Sequence, residues 1–259
     1  MIDYKTDVAG IMSIDEDIVW ILPKVKYPNN MITGTCSLFY EALGKLDLTP
    51  EKTILDIPCG MGGVSVYLAK EYGSTIYGYD VMPGFIDKAN EYATKHGVRY
   101  LCHYAVGDIR EVVLAGVTYD ALIWSSPPHL WDNYDETIKH LRACVKDKGF
   151  IFINDAWVND VKNKDIYPNF GTRAEMLKAV VAYGDEVVYY TEEVGEDIYD
   201  EGFAYERKAV ITAIEDAGDP MEKAALMKLL KSIDKANKMD ADFMGGCYMV
   251  LRINRKDNS

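Results

Sequence analysis

Three features of the chain predict an α/β fold with a doubly wound parallel sheet. Short apolar runs alternate with helical segments between residues 53 and 154. The first run ends in a glycine cluster, Gly60-Met61-Gly62-Gly63, at the head of a helix. Carboxylates stand at or just past the ends of three successive runs, at Asp56, Asp80 and Asp108. Strand–helix alternation of this kind covers a parallel sheet on both faces through right-handed crossovers. Ligands in such sheets bind at the carboxyl ends of the strands.

The elements follow in order. Residues 37–43 have a short amphipathic helical pattern that Gly44 stops. Residues 53–57 read as the first strand and 64–70 as the helix after the glycine turn. Residues 74–79 give a strand, 83–96 a helix opened by Pro83, and 98–106 a strand. The apolar strand 119–124 breaks at Ser125-Ser126-Pro127-Pro128, and 135–145 then has helical spacing with basic residues near its end. Residues 149–154 form another buried-type strand, followed by a polar loop over 158–171 and a helix over 172–183. The β-branched run 186–191 is a strand, and the acidic stretch 192–201 reads as a solvated loop. Two helical segments, 204–217 and 221–239, are separated by Gly218-Asp219-Pro220, and 246–254 is a closing strand. A chain of 259 residues with no repeat or linker is expected to form one domain. Within it, residues 1–45 would be an N-terminal cover segment, 46–194 a cofactor-binding core, 195–242 a helical insertion and 243–259 the last strand and tail.

Hydrophobic residues at 49% and charged residues at 27% are ordinary for a packed globular protein. A net charge of −13 disfavours nucleic acid, because that affinity comes from Lys and Arg displacing counterions. No run approaches the roughly 20 apolar residues that a membrane-spanning helix needs, so no membrane partner is expected. Residues 1–19 lack the basic start and apolar segment of a signal peptide, which implies a cytoplasmic location. The cysteines (Cys36, Cys59, Cys102, Cys144, Cys247) form no CxxC pair and are read as reduced. The histidines (His96, His103, His129, His140) never flank a Glu at i,i+4 spacing, and no metal site is expected.

Glycines at the first strand's end let the backbone pass close to a ligand at the head of a helix. Gly60-x-Gly62 followed by a small residue at Ser65 also suits a nicotinamide dinucleotide, so charge has to discriminate. A pyrophosphate wants bare N–H groups, whereas S-adenosylmethionine carries an ammonium and a sulfonium that favour a carboxylate in the loop, which Asp56 supplies. Asp80, 18 residues beyond Gly62, can accept both hydroxyls of an adenosine ribose under either reading, with Val81 and Met82 beside it. Asp108 can accept from the adenine amino group while Ile109 packs near the ring. Each residue also has a purely structural role open to it: a tight turn for Gly60 and Gly62, a helix N-cap for Asp80 and Asp108.

On Asp56-x-x-x-Gly60-x-Gly62, Asp80 and Gly107-Asp108-Ile109, the chain resembles the class I S-adenosylmethionine-dependent methyltransferases over about residues 46–254. It departs from them at Pro58, which stands where the family's loop has its first glycine. The resemblance implies a seven-stranded, mostly parallel Rossmann-like sheet whose last strand inserts antiparallel. It also implies S-adenosyl-L-methionine as cofactor, with Ser125 joining the cofactor contacts. The pattern at Tyr167-Pro168 and beyond is similar to small-molecule enzymes related to those of quinone biosynthesis, in which helices between the last two strands cover the substrate.

On the acceptor side, Trp124-Ser125-Ser126-Pro127-Pro128-His129-Leu130-Trp131 lies where the transferred methyl should emerge. His129 and Asp155 are the candidate catalytic groups, and Ser126, Trp131, Trp157 and Tyr190 the candidate substrate contacts. Aromatic faces favour a cation and exclude water, so an amine is among the candidate acceptors. Ser126-Pro127-Pro128 followed by a ring also resembles the motif of amino-methyltransferases that act on nucleic-acid bases. Three functions stay open: methyl transfer to N, O or C of a small molecule, nucleic-acid amino-methylation, and a non-catalytic module that keeps the cofactor fold. Oligomeric state is not legible.

Overall fold

The computed structural model describes residues 4–31, 36–126, 130–131, 133–168, 170–193 and 196–255. Its centre is a seven-stranded sheet in the order β3-β2-β1-β4-β5-β7-β6. The strands are β1 (Thr53–Asp56), β2 (Thr75–Asp80), β3 (Cys102–Val106), β4 (Tyr119–Ser125), β5 (Val145–Val158), β6 (Glu186–Glu193) and β7 (Met244–Arg252). Pairings β1–β2, β1–β4, β2–β3 and β4–β5 are parallel, whereas β7 runs antiparallel between β5 and β6. The expected doubly wound sheet and inserted antiparallel strand are therefore both present. Strand order reverses between β1 and β4, which makes the carboxyl end of β1 the topological switch point.

Alternation along the strands divides the core between two faces. Ile54, Ile76, Ala121, Ile123, Phe152 and Val250 face one layer, built by α2 (Ser37–Leu43), α3 (Gly63–Tyr72) and α4 (Pro83–Lys95). Leu55, Leu122, Trp124, Ile151, Ile153 and Met249 face the other, built by α5 (Ile109–Leu114), α6 (Tyr134–Ala143) and α7 (Arg173–Val181). Local signals set the helix ends. Asn133 caps α6 by accepting from Glu136 N at 3.0 Å, and Thr172 with Glu175 closes a capping box on α7.

A third apolar cluster lies beyond the carboxyl edge. It joins α1 (Tyr4–Ile11) and the 3-10 segment Glu16–Lys24 to α8 (Glu196–Asp216) and α9 (Pro220–Phe243). Ile18, Val19, Ile21 and Leu22 pack there with Val210, Leu226 and Leu229, and the cluster also takes in Met61, Met82 and Phe85 of the core. This cluster is thus seated on the glycine loop and on the turn after β2.

Several boundaries differ from the sequence reading. The acidic stretch is largely helical: α8 starts at Glu196. Strand β5 runs on to Val158 because β7 keeps pairing with it as far as Val158↔Met244. Strand β3 starts only at Cys102, since the preceding residues turn, with Leu101 N donating to Val98 O. Helices α1 and α5 had no counterpart in the periodicity.

Candidate functional site

The switch point is built from the end of β1, the turn it enters and the head of α3. Gly60 and Gly62 have φ of +50° and +79°, in the left-handed region that glycine adopts without strain. Their surroundings differ. A methyl group on Gly60 would meet no atom within 4 Å, whereas one on Gly62 would lie 2.8 Å from the Tyr104 hydroxyl and 2.9 Å from Ala89 Cβ. Gly60 therefore borders open space, and Gly62 lets α3 approach α4 and β3. The Ile57–Pro58 peptide is cis.

Two buried carboxylates brace this loop. Asp56 accepts a hydrogen bond from the Ser65 hydroxyl, which ties β1 to the first turns of α3. Asp80 accepts from Gly60 N at 3.0 Å and from Met82 N at 2.9 Å, joining the ends of β1 and β2. Burial pushes the Asp56 carboxyl up to about 7, against the lowering effect of the Ser65 hydrogen bond and with the Asp80 charge adding to the rise. Burial likewise pushes Asp80 up to about 6, opposed by the backbone N–H donors of Met82 and Gly60. Carboxylates held like this favour a cationic ligand, and their remaining lone pairs can accept from hydroxyls.

Asp108 caps α5, accepting from Arg110 N at 2.8 Å. Its carboxylate is also gripped by the Arg110 guanidinium, which reaches Asp7 of α1 at 3.0 Å. The Arg110 hydrogen bond lowers the Asp108 carboxyl below its usual range. The structural role open to Asp108 is thus occupied, and an adenine contact would share the carboxylate with Arg110. Ile109 is buried in the layer of α5 to α7, Met82 is buried in the third cluster, and the partly buried Val81 packs against that cluster.

Beyond β4, Ser125 accepts from Asn154 Nδ2 at 3.2 Å, and Ser126 N donates to Asn154 O at 2.9 Å. Ser126 takes φ +48°, turning the chain out of the strand. Pro127, Pro128 and His129 lie outside the described residues, so the structure does not place the histidine. Trp131 stacks on His140 with ring centres 4.8 Å apart and tilts against Trp124 at 5.8 Å. Asp155 is buried at the same edge and lines a small cavity of about 10 Å³ with Trp124, Tyr134 and Thr137.

The other two candidate substrate contacts are held by packing of their own. Trp157 is core: its ring covers Gly245 of β7 so closely that a methyl there would come within 2.8 Å of Nε1. Tyr190 lies on the edge strand β6, four strand spacings of about 4.8 Å from β1. Its hydroxyl donates to Glu192, and Arg173 lies over its ring. The structure thus gathers Asp56, Gly60, Asp80, Met82, Ser125 and Ser126 around the switch point, packs Trp157 against β7, and places Tyr190 on the far edge of the sheet.

Sequence reasoning took Ser65 only as a small residue after the glycines and missed its hydroxyl as the partner of Asp56, for which its place in an apolar helix after a carboxylate strand was the available signal. It also missed Asn30, which donates to Met61 O at 3.0 Å and fastens the N-terminal segment onto the glycine loop. Among the described residues no group of three or more His, Cys, Asp or Glu is placed to hold a metal ion, and no helix is long and apolar enough to cross a membrane.

Comparison with known proteins bears on the same segment. Residues 54–149 match a family model described as a methyltransferase domain. A probable tocopherol O-methyltransferase of Oryza sativa is 35% identical over 74 residues, covering 29% of this chain and 20% of the relative. The 2-methyl-6-phytyl-1,4-hydroquinone methyltransferase of Synechocystis sp. is 31% identical over 136 residues, covering 51% of this chain and 41% of the relative. The chain therefore spans less than half the length of these curated relatives. A crystallised SAM-dependent methyltransferase of Geobacter sulfurreducens, in complex with S-adenosyl-L-homocysteine, has the same fold. Its TM-score is 0.72 at 18% identity, over 93% of this chain and 99% of that one. A methyltransferase domain is thus matched over the residues that build the switch point, and the fold around it is the one this crystallised methyltransferase has.

Proposed function

We propose that the protein binds S-adenosyl-L-methionine at the β1 switch point and directs methyl transfer to a small-molecule acceptor held beyond β4 and β5. The observation that carries this reading is the pair of buried carboxylates, Asp56 and Asp80, braced around a glycine that borders open space. The donor set fits the ligand. Asp80 can accept from the ribose hydroxyls, Asp56 favours the positive charge of the methionine part, and Gly60 leaves room for close backbone approach. When bound, the cofactor supplies a methyl group activated on a sulfonium.

The chain's own part is to orient, to exclude water and to place an acceptor in line. Val81, Met82 and Ile109 would wall the adenosine, with Asp108 at the adenine edge. Ser125 and Ser126 lie across β1 from Asp80, at the start of the acceptor side. Asp155 would accept a substrate hydrogen bond or proton there, with Trp131 on the loop after β4 and His129 as a further candidate from the sequence. Because in-line displacement depends chiefly on near-attack geometry, these residues would set turnover more than affinity. The relatives' names point to hydroquinone-type acceptors, and the aromatic loop also suits an amine.

A net charge of −13 favours neutral or cationic substrates over nucleic acid. Calorimetry with S-adenosylhomocysteine and with NAD tests the cofactor, and isotopic methyl transfer into pooled metabolites tests the activity. Tight binding of NAD with no response to S-adenosylhomocysteine would overturn the reading.

A further inference from the structure

Tyr27 belongs to the N-terminal segment, outside the family-matched residues 54–149. Its side chain is 3% exposed, and its hydroxyl is buried without a hydrogen-bond partner. A buried hydroxyl left unpaired is costly, and in native proteins such groups usually meet a water or a ligand. Burial, with the Glu206 charge adding to it, pushes the phenol well above its usual range, so it stays protonated and can donate.

The segment that carries Tyr27 is fixed to the glycine loop. Asn30 Nδ2 donates to Met61 O at 3.0 Å. A methyl group on Gly63 would lie within 2.5 Å of both Asn29 O and Met31 Cγ, so the strand of chain 29–31 rests on the head of α3. Tyr205 of α8 donates to Pro28 O and holds the segment from above. Tyr27 itself shares an apolar cluster with Met61 and Met82. A ligand whose ribose is held by Asp80, and which runs over Gly60, presents its opposite end toward Met61, Gly63 and this segment.

We propose that Tyr27 is a ligand contact delivered by the N-terminal segment, its hydroxyl donating to the carboxylate of the amino-acid end of the bound S-adenosyl compound. The proposal rests on the cofactor reading above. The Gly63 and Val64 N–H groups at the head of α3 would share the same carboxylate. The zwitterionic end also carries an ammonium, which balances the Glu206 charge. Tyr27 would thereby couple cofactor occupancy to the seating of the cover.

The test compares Tyr27→Phe with wild type in calorimetry against two probes, S-adenosylhomocysteine and 5′-methylthioadenosine, which lacks the amino-acid end. Loss of a hydrogen bond to a charged group should weaken S-adenosylhomocysteine by about tenfold or more and leave methylthioadenosine unchanged. The ligand-free variant should melt at the same temperature as wild type or higher, because an unpaired buried hydroxyl has been removed. Unchanged affinity for S-adenosylhomocysteine, equal weakening of both probes, or a lowered melting temperature without ligand would each overturn the proposal. Wild-type protein that binds neither probe would instead overturn the cofactor reading, and this contact with it.

Discussion

At the scale of single residues, Asp56 and Asp80 give the molecule a measurable dependence on pH. Their folded values, about 7 and about 6, lie above the unfolded carboxylate value near 3.8. Between those limits the native state holds more protons than the unfolded chain, so stability falls as pH rises from about 4 to about 7 and levels off above. At full effect the loss is roughly 7 kcal/mol. Urea unfolding at pH 5 and pH 8 should show it, and Asp56→Asn should remove the upper part of the slope while keeping an acceptor for Ser65. On the cofactor reading a cationic ligand favours ionised Asp56. Affinity should then climb as pH rises through about 7, with proton release visible in buffers of different ionisation heat.

The glycines separate in the same way. Gly62→Ala forces a methyl against Tyr104 and Ala89 at positive φ and should cost roughly 1–3 kcal/mol of stability. Gly60→Ala meets no atom, so its stability cost should stay near 1 kcal/mol, and its larger effect should fall on ligand affinity. A Gly62→Ala protein as stable as the Gly60→Ala protein would contradict this division. Asp56, Gly60, Gly62 and Asp80 were legible because a strand end and its turn are local in sequence. Ser65, Asn30 and Tyr27 were not, since each acquires its meaning from a partner that only the fold brings near.

Among elements, the cover formed by α1, residues 16–31, α8 and α9 shows where periodicity runs out. Residues 18–22 read Ile-Val-Trp-Ile-Leu, a nearly continuous apolar run with no helical stripe. In the structure this run is sandwiched, meeting α9 on one side and the turn after β2 on another, which is why no single face was visible. The central strands β1, β4 and β7 were legible for the opposite reason: they are short runs buried almost from end to end. Electrostatics alone would misplace the start of α8, since Glu and Asp in sequence suggest a solvated loop but also favour the first turn of a helix. Because the cover touches Met61 and Met82, ligand binding at the switch point should stabilise it. Hydrogen exchange in residues 16–31 and 204–233 should slow on addition of S-adenosylhomocysteine, while β1 and β4 change little. Equal exchange with and without ligand would mean that the cover is fixed and plays no part in gating.

On the scale of the whole molecule, the cofactor reading would have the sheet order separate binding from chemistry. β2 and β3 lie on one side of β1, with Asp80 at the end of β2; β4 and β5 lie on the other, with Ser125, a candidate cofactor contact, nearest β1 and Ser126 and Asp155 beyond it. Placement by strand order was legible from the alternation of elements. The packing of Trp157 against Gly245 was not, because it depends on β7 pairing with β5. With the two ends of the site on opposite sides of one strand, substitutions on the β4–β5 side should leave cofactor affinity within about twofold, well under the 1.4 kcal/mol that a tenfold change requires. A misplaced acceptor, by contrast, can lose about a hundredfold in rate with the cofactor still bound. The comparison is Asp155→Asn, Trp131→Ala and His129→Ala, each measured for S-adenosylhomocysteine dissociation and, with a methyl acceptor in hand, for turnover. Asp155→Asn keeps the shape of a buried side chain, so a fall in turnover there reports the charge or the proton and not a cavity. Trp131→Ala removes the ring that stacks on His140 and should loosen the loop after β4, lowering turnover through acceptor placement. If all three variants turn over normally, or lose binding and turnover in parallel, the acceptor is held somewhere other than the β4–β5 edge.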